Sequence, residues 1–251
     1  TGATAPVNPN LGSKAEATSK GLRRERMQNG NGRKPKPVRW ASIPKVGSIY
    51  IMGHRGQGKS ALAWHIADTY RKKAGYPKKV AAYSFPPEAI KALPKWIAHV
   101  DSASAISALK QPHIIVVDES VFHVNSRRSQ STDNLDFTKL LAVTRHKGHL
   151  MVFISQTSRQ VDIQVIEGFD LVLIKAPSLL QVRSARAELR PEIEEAYNLF
   201  SDMRGDTRKK VYMFDPHKGG TAMLAASMPT WWTQRVSKAY SCLLYTSDAA
   251  D

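Results

Sequence analysis

A glycine-rich stretch followed by a lysine and a serine is the clearest chemical feature of the sequence. The stretch reads Gly53-His54-Arg55-Gly56-Gln57-Gly58-Lys59-Ser60. It fits the pattern G-x-x-x-x-G-K-[ST], which chance produces in about 1% of chains of this length. Glycines let successive backbone N–H groups point inward at a phosphate, and the following helix adds positive potential. The pattern predicts a nucleotide-binding loop that ends at Ala61, with Lys59 at the β- and γ-phosphates and Ser60 on Mg²⁺.

Two adjacent acidic residues follow an apolar run further along the chain. The run Ile114-Ile115-Val116-Val117 leads into Asp118 and Glu119, an arrangement typical of a Walker B strand. Because α/β sheets bind ligands at the carboxyl ends of their strands, we expect Asp118 to hold the Mg²⁺ shell. Glu119 would then polarise the attacking water as the general base. The alternative for Glu119 is a surface acid or a helix-capping partner.

A third apolar run, residues 150–154, ends in Ser155 and Gln156. A glutamine at the tip of a strand next to the Walker B strand can hydrogen-bond the γ-phosphate or the lytic water. The alternative is a glutamine that only caps its own strand.

A basic cluster, Thr144-Arg145-His146-Lys147-Gly148, precedes this run. Such clusters are typical of solvated helix ends, where positive charge suits the helix dipole. Alternatively, Arg145 is an arginine finger that reaches the nucleotide of a neighbouring subunit. Arg128 and Arg159 are competing candidates for that role.

Apolar runs and helical patterns alternate from Lys45 onward, which predicts an α/β fold. Apolar runs without polar alternation indicate strands of a parallel sheet covered on both faces. These runs occupy residues 48–52, 80–85, 113–117, 150–155 and 170–175. Apolar spacing and Gly or Pro stop signals predict helices over residues 59–74, 134–146 and 191–201.

Composition and charge exclude several classes of protein. The 251 residues are 42% hydrophobic and 23% charged, close to globular averages. One cysteine excludes a disulfide framework and a multi-cysteine zinc site, and no apolar run approaches the roughly 18–20 residues that span a bilayer. The net charge of +16 favours a polyanionic partner, since Lys and Arg displace counterions from phosphates. A basic but inert surface is the alternative.

The order of the motifs resembles the FtsK-HerA superfamily of P-loop ATPases, especially the compact genome-packaging ATPases of viruses and phages. The Walker motifs, the Arg145-His146-Lys147-Gly148 cluster, the strand ending in Ser155-Gln156 and an apolar strand from Asp170 follow one another over about residues 45–175. The resemblance implies a RecA-like P-loop NTPase of the additional-strand type, which uses ATP and Mg²⁺. It also implies nucleotide, metal, base, sensor and finger roles for Lys59, Ser60, Asp118, Glu119, Gln156 and Arg145.

The resemblance further implies an oligomeric ring, usually a hexamer, that moves double-stranded DNA by hydrolysing ATP. The leading hypothesis is therefore a viral or phage genome-packaging ATPase, in the host cytoplasm or on the virion, with a capsid or portal partner. A Zot-like morphogenesis protein of filamentous phage also resembles this arrangement, and would be an assembly factor at the inner membrane with a transmembrane helix after residue 241. Glu119 and the basic N-terminal segment disfavour a third option, a small-metabolite kinase.

Four segments follow from these patterns. Residues 1–47 hold ten Lys or Arg and two Glu, a net charge of +8, and few large apolar residues. We expect a disordered basic arm over 1–44, which either holds nucleic acid or is a solvated tail. The ATPase domain is predicted over 45–216 and a C-terminal extension over 217–241. Residues 242–251 look like a translated sequencing adapter, with a genuine short tail as the alternative.

The sequence leaves two interpretations open for each of two further stretches. Residues 120–133, with Arg127 and Arg128, would be a pore-facing loop on DNA phosphates or a surface loop. Trp231 and Trp232 in the extension anchor it against the core or, less in keeping with their context, stack on bases.

Overall fold

The computed structural model describes residues 36, 38–118, 141, 144–158, 161 and 166–239. The chain divides into two units, residues 1–36 and residues 37–251. Every element named below belongs to the second unit. Within the described ranges, no helix combines the length and the apolarity required to cross a bilayer.

An eight-stranded mixed sheet organises the second unit. Its strands are β1 (Gly47–Met52), β2 (Lys79–Tyr83), β3 (Ile97–Val100), β4 (His113–Val117), β5 (Leu150–Ile154), β6 (Leu171–Ile174), β7 (Lys210–Phe214) and β8 (Thr221–Ala225). They lie in the order β3-β2-β4-β5-β1-β6-β7-β8. The first six strands of that order are parallel, and β7 and β8 continue the sheet in antiparallel fashion. The predicted α/β fold with a mainly parallel sheet is confirmed.

Six α-helices with defined bounds accompany the sheet in the described residues. They are α1 (Lys59–Tyr70), α2 (Pro87–Ala92), α3 (Ala103–Ala108), α4 (Leu179–Arg183), α5 (Arg190–Ser201) and α6 (Gln234–Ala239). In α1 the side chains of Leu62, Ile66 and Tyr70 are four residues apart and buried, so one face of the helix packs on the sheet. The helix ends at Tyr70 rather than at the predicted residue 74.

The core lies on both faces of the sheet. All residues of β1, β4, β5 and β6 are buried, and successive side chains in each strand point to opposite faces. Tyr50 therefore belongs to one apolar cluster with Ile193 of α5, whereas Ile49 belongs to another with Leu62 of α1. This two-sided burial explains why the central strands read as continuous apolar runs.

Each of the five predicted strands is confirmed, with ends that differ by at most two residues. β2 stops at Tyr83 because Ser84 adopts a positive φ of 61°, which ends the extended backbone. Strands β3, β7 and β8 were not predicted. The predicted helix over 191–201 is confirmed as α5, and the one over 134–146 lies mostly outside the described residues, with helical backbone at Leu141 and residues 144–146.

The residues just before β1 pack against the sheet unit. Val38 and Ile43 are buried in the same cluster as Leu62. Between them, Trp40 donates from Nε1 to the carbonyl oxygen of Ala225 at 3.0 Å, and Tyr70 Oη donates to the Trp40 carbonyl oxygen. The packed part of the chain thus begins before residue 45, because these side chains cover apolar surface that belongs to the core.

The C-terminal extension also packs on the core. The Trp231 ring lies 6.2 Å from the ring of Trp64 on α1 and 6.1 Å from the ring of Trp96, measured between centroids. Trp232 packs against the same apolar cluster. These contacts agree with the anchoring role expected for the two tryptophans.

Candidate nucleotide-binding site

The glycine-rich loop between β1 and α1, residues 53–60, is hereafter the Walker A loop. Gly53, Gly56 and Gly58 have positive φ angles of 143°, 79° and 79°, a backbone conformation that residues with a side chain rarely adopt. Gly58 is the residue before α1, and its carbonyl oxygen accepts the first helical hydrogen bond, from Leu62 N at 3.0 Å. The glycines at the predicted positions therefore allow the turn from strand into helix.

The Lys59 ammonium lies within the curl of the Walker A loop. Nζ donates to the carbonyl oxygen of Gly53 at 3.0 Å and to that of His54 at 3.2 Å, and the residue is buried. Ser60 follows in the first turn of α1 and is half-buried. A buried cation at a helix N-terminus concentrates positive potential where a polyphosphate would bind.

The remaining residues of the loop differ in exposure. His54, Arg55 and Gly56 are exposed, whereas Gln57 and Ala61 are half-buried. The His54 ring nitrogen Nδ1 lies 3.0 Å from the carbonyl oxygen of Arg55, a contact inside the loop.

The two residues that follow strand β6 contact the start of the Walker A loop. The Lys175 N–H donates to Met52 O at 2.8 Å, and the His54 N–H donates to Ala176 O at 3.1 Å. The backbones approach so closely that a β-carbon on Gly53 would lie 2.5 Å from the Lys175 carbonyl oxygen. Gly53 is thus required both by its φ angle and by its neighbour.

Asp118 directly follows β4 and lies at the same edge of the sheet as the Walker A loop. Its N–H donates to the Tyr83 carbonyl oxygen at 3.1 Å. β5 separates β4 from β1, so the two Walker strands are about 10 Å apart. The Ser60 hydroxyl and the Asp118 carboxylate supply oxygen ligands, the type that Mg²⁺ prefers. The donor chemistry of these two residues therefore fits a magnesium ion. Glu119 lies outside the described residues.

Gln156 follows β5, the strand between the two Walker strands. Its position beside the Walker B strand agrees with the expectation from the sequence. Its backbone carbonyl accepts a hydrogen bond from Gln181 Nε2, and Gln181 belongs to the capping box of α4 with Ser178. The end of β5 is thereby attached to the start of α4.

Arg145 lies at the opposite edge of the sheet. Its Nη2 donates to Asp170 Oδ1 at 3.0 Å and to the Gly168 carbonyl oxygen at 3.3 Å. The other oxygen of Asp170 accepts the Ser48 N–H at 2.8 Å. Because Ser48 and Gly53 are five residues apart along β1, about 17 Å separates the two positions. Arg145 is therefore remote from the Walker A loop of its own chain, and a finger role requires a neighbouring subunit.

The competing finger candidates, Arg128 and Arg159, and the pore-loop residue Arg127 do not fall within the described part of the chain. The predicted pore-facing loop over 120–133 also lies outside it.

Two residues that no motif indicated also contact the Walker A region. Thr207 Oγ1 donates to the side-chain oxygen of Gln57 at 3.0 Å. The fully buried Lys175 donates from Nζ to the carbonyl oxygens of Arg208 and Lys210, each at 2.6 Å. Burial lowers the pKa of Lys175 to about 8, with partial compensation by the charge of Asp206. A lysine after four apolar residues of a core strand is the only sequence signal for this contact.

No protein-family model and no curated protein matches the sequence. Solved structures do match. The genome packaging NTPase B204 of Sulfolobus turreted icosahedral virus 2, in complex with AMPPCP, has a TM-score of 0.54 and 11% identity over 74% of this chain and 100% of its own. B204 of Sulfolobus turreted icosahedral virus, described as its DNA-packaging ATPase, has a TM-score of 0.53 and 12% identity over 74% and 99%. The predicted resemblance to viral packaging ATPases is confirmed at the level of the fold: the chain has the mostly parallel α/β architecture of a P-loop ATPase.

Proposed function

We propose that this chain is an ATP-hydrolysing DNA translocase, specifically a viral or phage genome-packaging motor. The observation that carries the proposal is the convergence of the Walker A loop, Asp118 and Gln156 at one edge of the sheet, with β5 between the two Walker strands. The likeness of the fold to the packaging NTPase B204, whose structures include complexes with ATP-γS and AMPPCP, supports it.

Each residue of the proposed site has a defined task in the reaction. Backbone N–H groups of the Walker A loop and the Lys59 ammonium hold the β- and γ-phosphates in place. Ser60 and Asp118 would hold Mg²⁺, which would offset the negative charge of the phosphates. The oxygen of the attacking water bonds to the γ-phosphorus while the bond to the β–γ bridging oxygen breaks, so that ADP leaves. Glu119 accepts the proton that the water loses, and Gln156 orients that water or the γ-phosphate. The helix N-terminus stabilises the charge that develops on the transferred phosphoryl group.

The charge of the chain supports DNA as the partner. The net charge is +16, and residues 1–47 contribute +8 of it. Binding by such a surface depends strongly on salt, because each neutralised phosphate releases counterions. We propose that double-stranded DNA passes through a homo-oligomeric ring, and that Arg145 contacts the nucleotide of the adjacent subunit.

The decisive experiment measures ATP hydrolysis with and without double-stranded DNA, at two salt concentrations. DNA should raise the rate, and the increase should shrink at the higher salt. Glu119→Gln should retain bound ATP without turnover, whereas Lys59→Ala should weaken ATP binding itself. If the protein hydrolyses ATP but no nucleic acid changes the rate, the translocase proposal is wrong and the ATPase proposal stands. If the protein neither binds nor hydrolyses ATP, both are wrong.

A further inference from the structure

The turn over residues 206–210 includes a short 3₁₀ helix at Thr207–Lys209. It forms the last part of the connection from α5 into β7 and contacts the Walker A loop. We propose that Thr207 and Lys175 are positioning residues, which hold this 206–210 turn against Gln57 and so keep the Walker A loop in its phosphate-binding shape. This inference rests on the proposed function, because it assigns a role in binding the nucleotide.

The first contact joins the turn to the middle of the Walker A loop. Thr207 Oγ1 donates to Gln57 Oε1 at 3.0 Å. Gln57 lies between Gly56 and Gly58, both with φ of 79°, in the most freely rotating part of the loop. A side-chain anchor at Gln57 therefore limits backbone motion where the glycines do not.

The second contact joins the turn to Lys175, the residue that follows β6. The Lys175 ammonium, buried to 1% exposure, donates to the carbonyl oxygens of Arg208 and Lys210. These carbonyls belong to residues one and three positions after Thr207. The backbone of Lys175 also lies against Gly53, the first residue of the Walker A loop.

These contacts form a closed path around the loop. Gly53 lies on the Lys175 backbone, the Lys175 side chain holds the 206–210 turn, and Thr207 of that turn holds Gln57. The start of the Walker A loop at Gly53 and its middle at Gln57 are thus linked to one buried lysine, through its main chain and, by way of the turn, its side chain.

The 206–210 turn has its own internal support. Asp206 Oδ1 accepts the Arg208 N–H at 3.0 Å, and the Asp206 carboxylate receives both Nε and Nη2 of the Arg208 guanidinium, at 2.9 and 3.1 Å. Asp206, Arg208, Lys209 and Lys210 are the charged residues of the turn, and the charge of Asp206 acts on the Lys175 ammonium. A turn held by its own hydrogen bonds can act as a firm support for the loop.

A loop that is already ordered binds its ligand more tightly, because ordering no longer opposes binding. Removal of the support should therefore weaken ATP binding and leave the chemical step nearly unchanged. Thr207→Val removes the hydroxyl and keeps the shape of the side chain, whereas Thr207→Ser keeps the hydroxyl. Thr233→Val is the matched control: Thr233 also makes a side-chain hydrogen bond, to Val236 N, but in the C-terminal extension.

The experiment measures the Kd of ATP, the KM and kcat of hydrolysis, and the thermal unfolding midpoint. Thr207→Val should raise Kd and KM about two- to tenfold, as expected for one hydrogen bond, with kcat changed less than twofold. Thr207→Ser and Thr233→Val should have the Kd, KM and kcat of the wild type. Lys175→Met, measured well below its unfolding midpoint, should raise Kd as well. The Kd of the double variant should be only slightly higher than that of the weaker-binding single variant, since both residues act through the same turn.

Two outcomes would overturn the inference while the proposed function survives. One is ATP hydrolysis by the wild type together with an unchanged Kd in Thr207→Val. The other is equal weakening by Thr207→Val and Thr207→Ser, which would show that the hydroxyl does not matter. A wild-type protein that binds no ATP removes the proposed function and this inference together.

Discussion

Arg145 and Asp170 form an ion pair at the amino end of the sheet, with Nη2 3.0 Å from Oδ1. Their side chains are 56% and 26% exposed, so the pair contributes at most about 1 kcal/mol. Asp170 retains a second partner, the Ser48 N–H at 2.8 Å. The guanidinium can therefore leave this carboxylate at low cost, as the proposed contact with a neighbouring subunit's nucleotide would require.

Arg145→Ala tests the finger role by complementation. The variant should bind ATP but lose hydrolysis, and so should Glu119→Gln. Mixed in equal amounts, the two should regain part of the activity, because an intact site in one subunit then meets an intact finger in the next. Arg235→Ala, an exposed arginine of α6, is the control and should remain active. Inactive mixtures would argue against a finger role for Arg145.

Gly53→Ala should disrupt both the fold and nucleotide binding. The new β-carbon would meet the Lys175 carbonyl oxygen at 2.5 Å, on a backbone with φ of 143°. We expect the free energy of unfolding to fall by about 3–5 kcal/mol, from backbone strain and steric overlap together. Urea unfolding followed by circular dichroism measures this loss.

Gly219→Ala is the matched control for that substitution. Its φ is 67°, and nothing lies within 4 Å of a β-carbon built there. The loss should be about 1–2 kcal/mol, from the left-handed backbone alone. Equal losses in the two variants would show that the contact with Lys175 does not matter.

His149 should make the protein sensitive to acid. Burial, assisted by the nearby His113 and Lys147, lowers the pKa of His149 to about 4 from its usual 6.5. Its Nδ1 accepts the His113 N–H at 3.0 Å, a contact that favours the neutral ring. As pH falls from 6.5 to 4, the unfolded chain takes up a proton before the folded one does, so stability decreases by up to about 3 kcal/mol.

His149→Gln offers an acceptor at this position but cannot titrate. Unfolding free energies at pH 7, 6, 5 and 4 should fall less steeply for this variant than for the wild type. His217→Gln, at an exposed histidine, should follow the wild-type curve. Parallel curves for His149→Gln and the wild type would contradict the prediction.

Trp231→Ala should loosen the C-terminal extension. The substitution removes ring contacts with Trp64 and Trp96, and we expect a loss of about 2–3 kcal/mol of unfolding free energy. Met228→Ala, at a side chain 62% exposed, should change it by about 0.5 kcal/mol or less. Chemical denaturation of the three proteins compares these losses. No loss in Trp231→Ala would show that the aromatic contacts do not hold the extension.

The central strands could be predicted from sequence because both faces of the sheet are covered. Burial on two sides demands continuous apolar runs, such as Ile114 to Val117. The edge strands are different: in β3 the inner residues Ala98 and His99 are exposed, and β8 is only half-buried. Their sequences lack that pattern. β7 has four buried apolar residues after Lys210. The sequence therefore contained the pattern of a buried strand there, although β7 was not predicted.

The candidate site likewise combines features that could be predicted from the sequence with features that could not. The Walker A loop could be predicted because each glycine meets a backbone requirement that few other residues satisfy. The Thr207 contact with Gln57 could not, because it joins positions 150 residues apart and depends on how α5 returns the chain to the sheet. The place of Arg145 relative to the nucleotide likewise depends on strand direction, which no short motif contains.

The packing of Val38 and Ile43 has a practical consequence for recombinant work. A fragment cloned to begin at residue 45 would lack both side chains and the Trp40 hydrogen bond to Ala225. It would expose apolar surface beside α1, and such surfaces promote aggregation. A fragment that starts at residue 36 keeps these contacts, and is the better choice for purification.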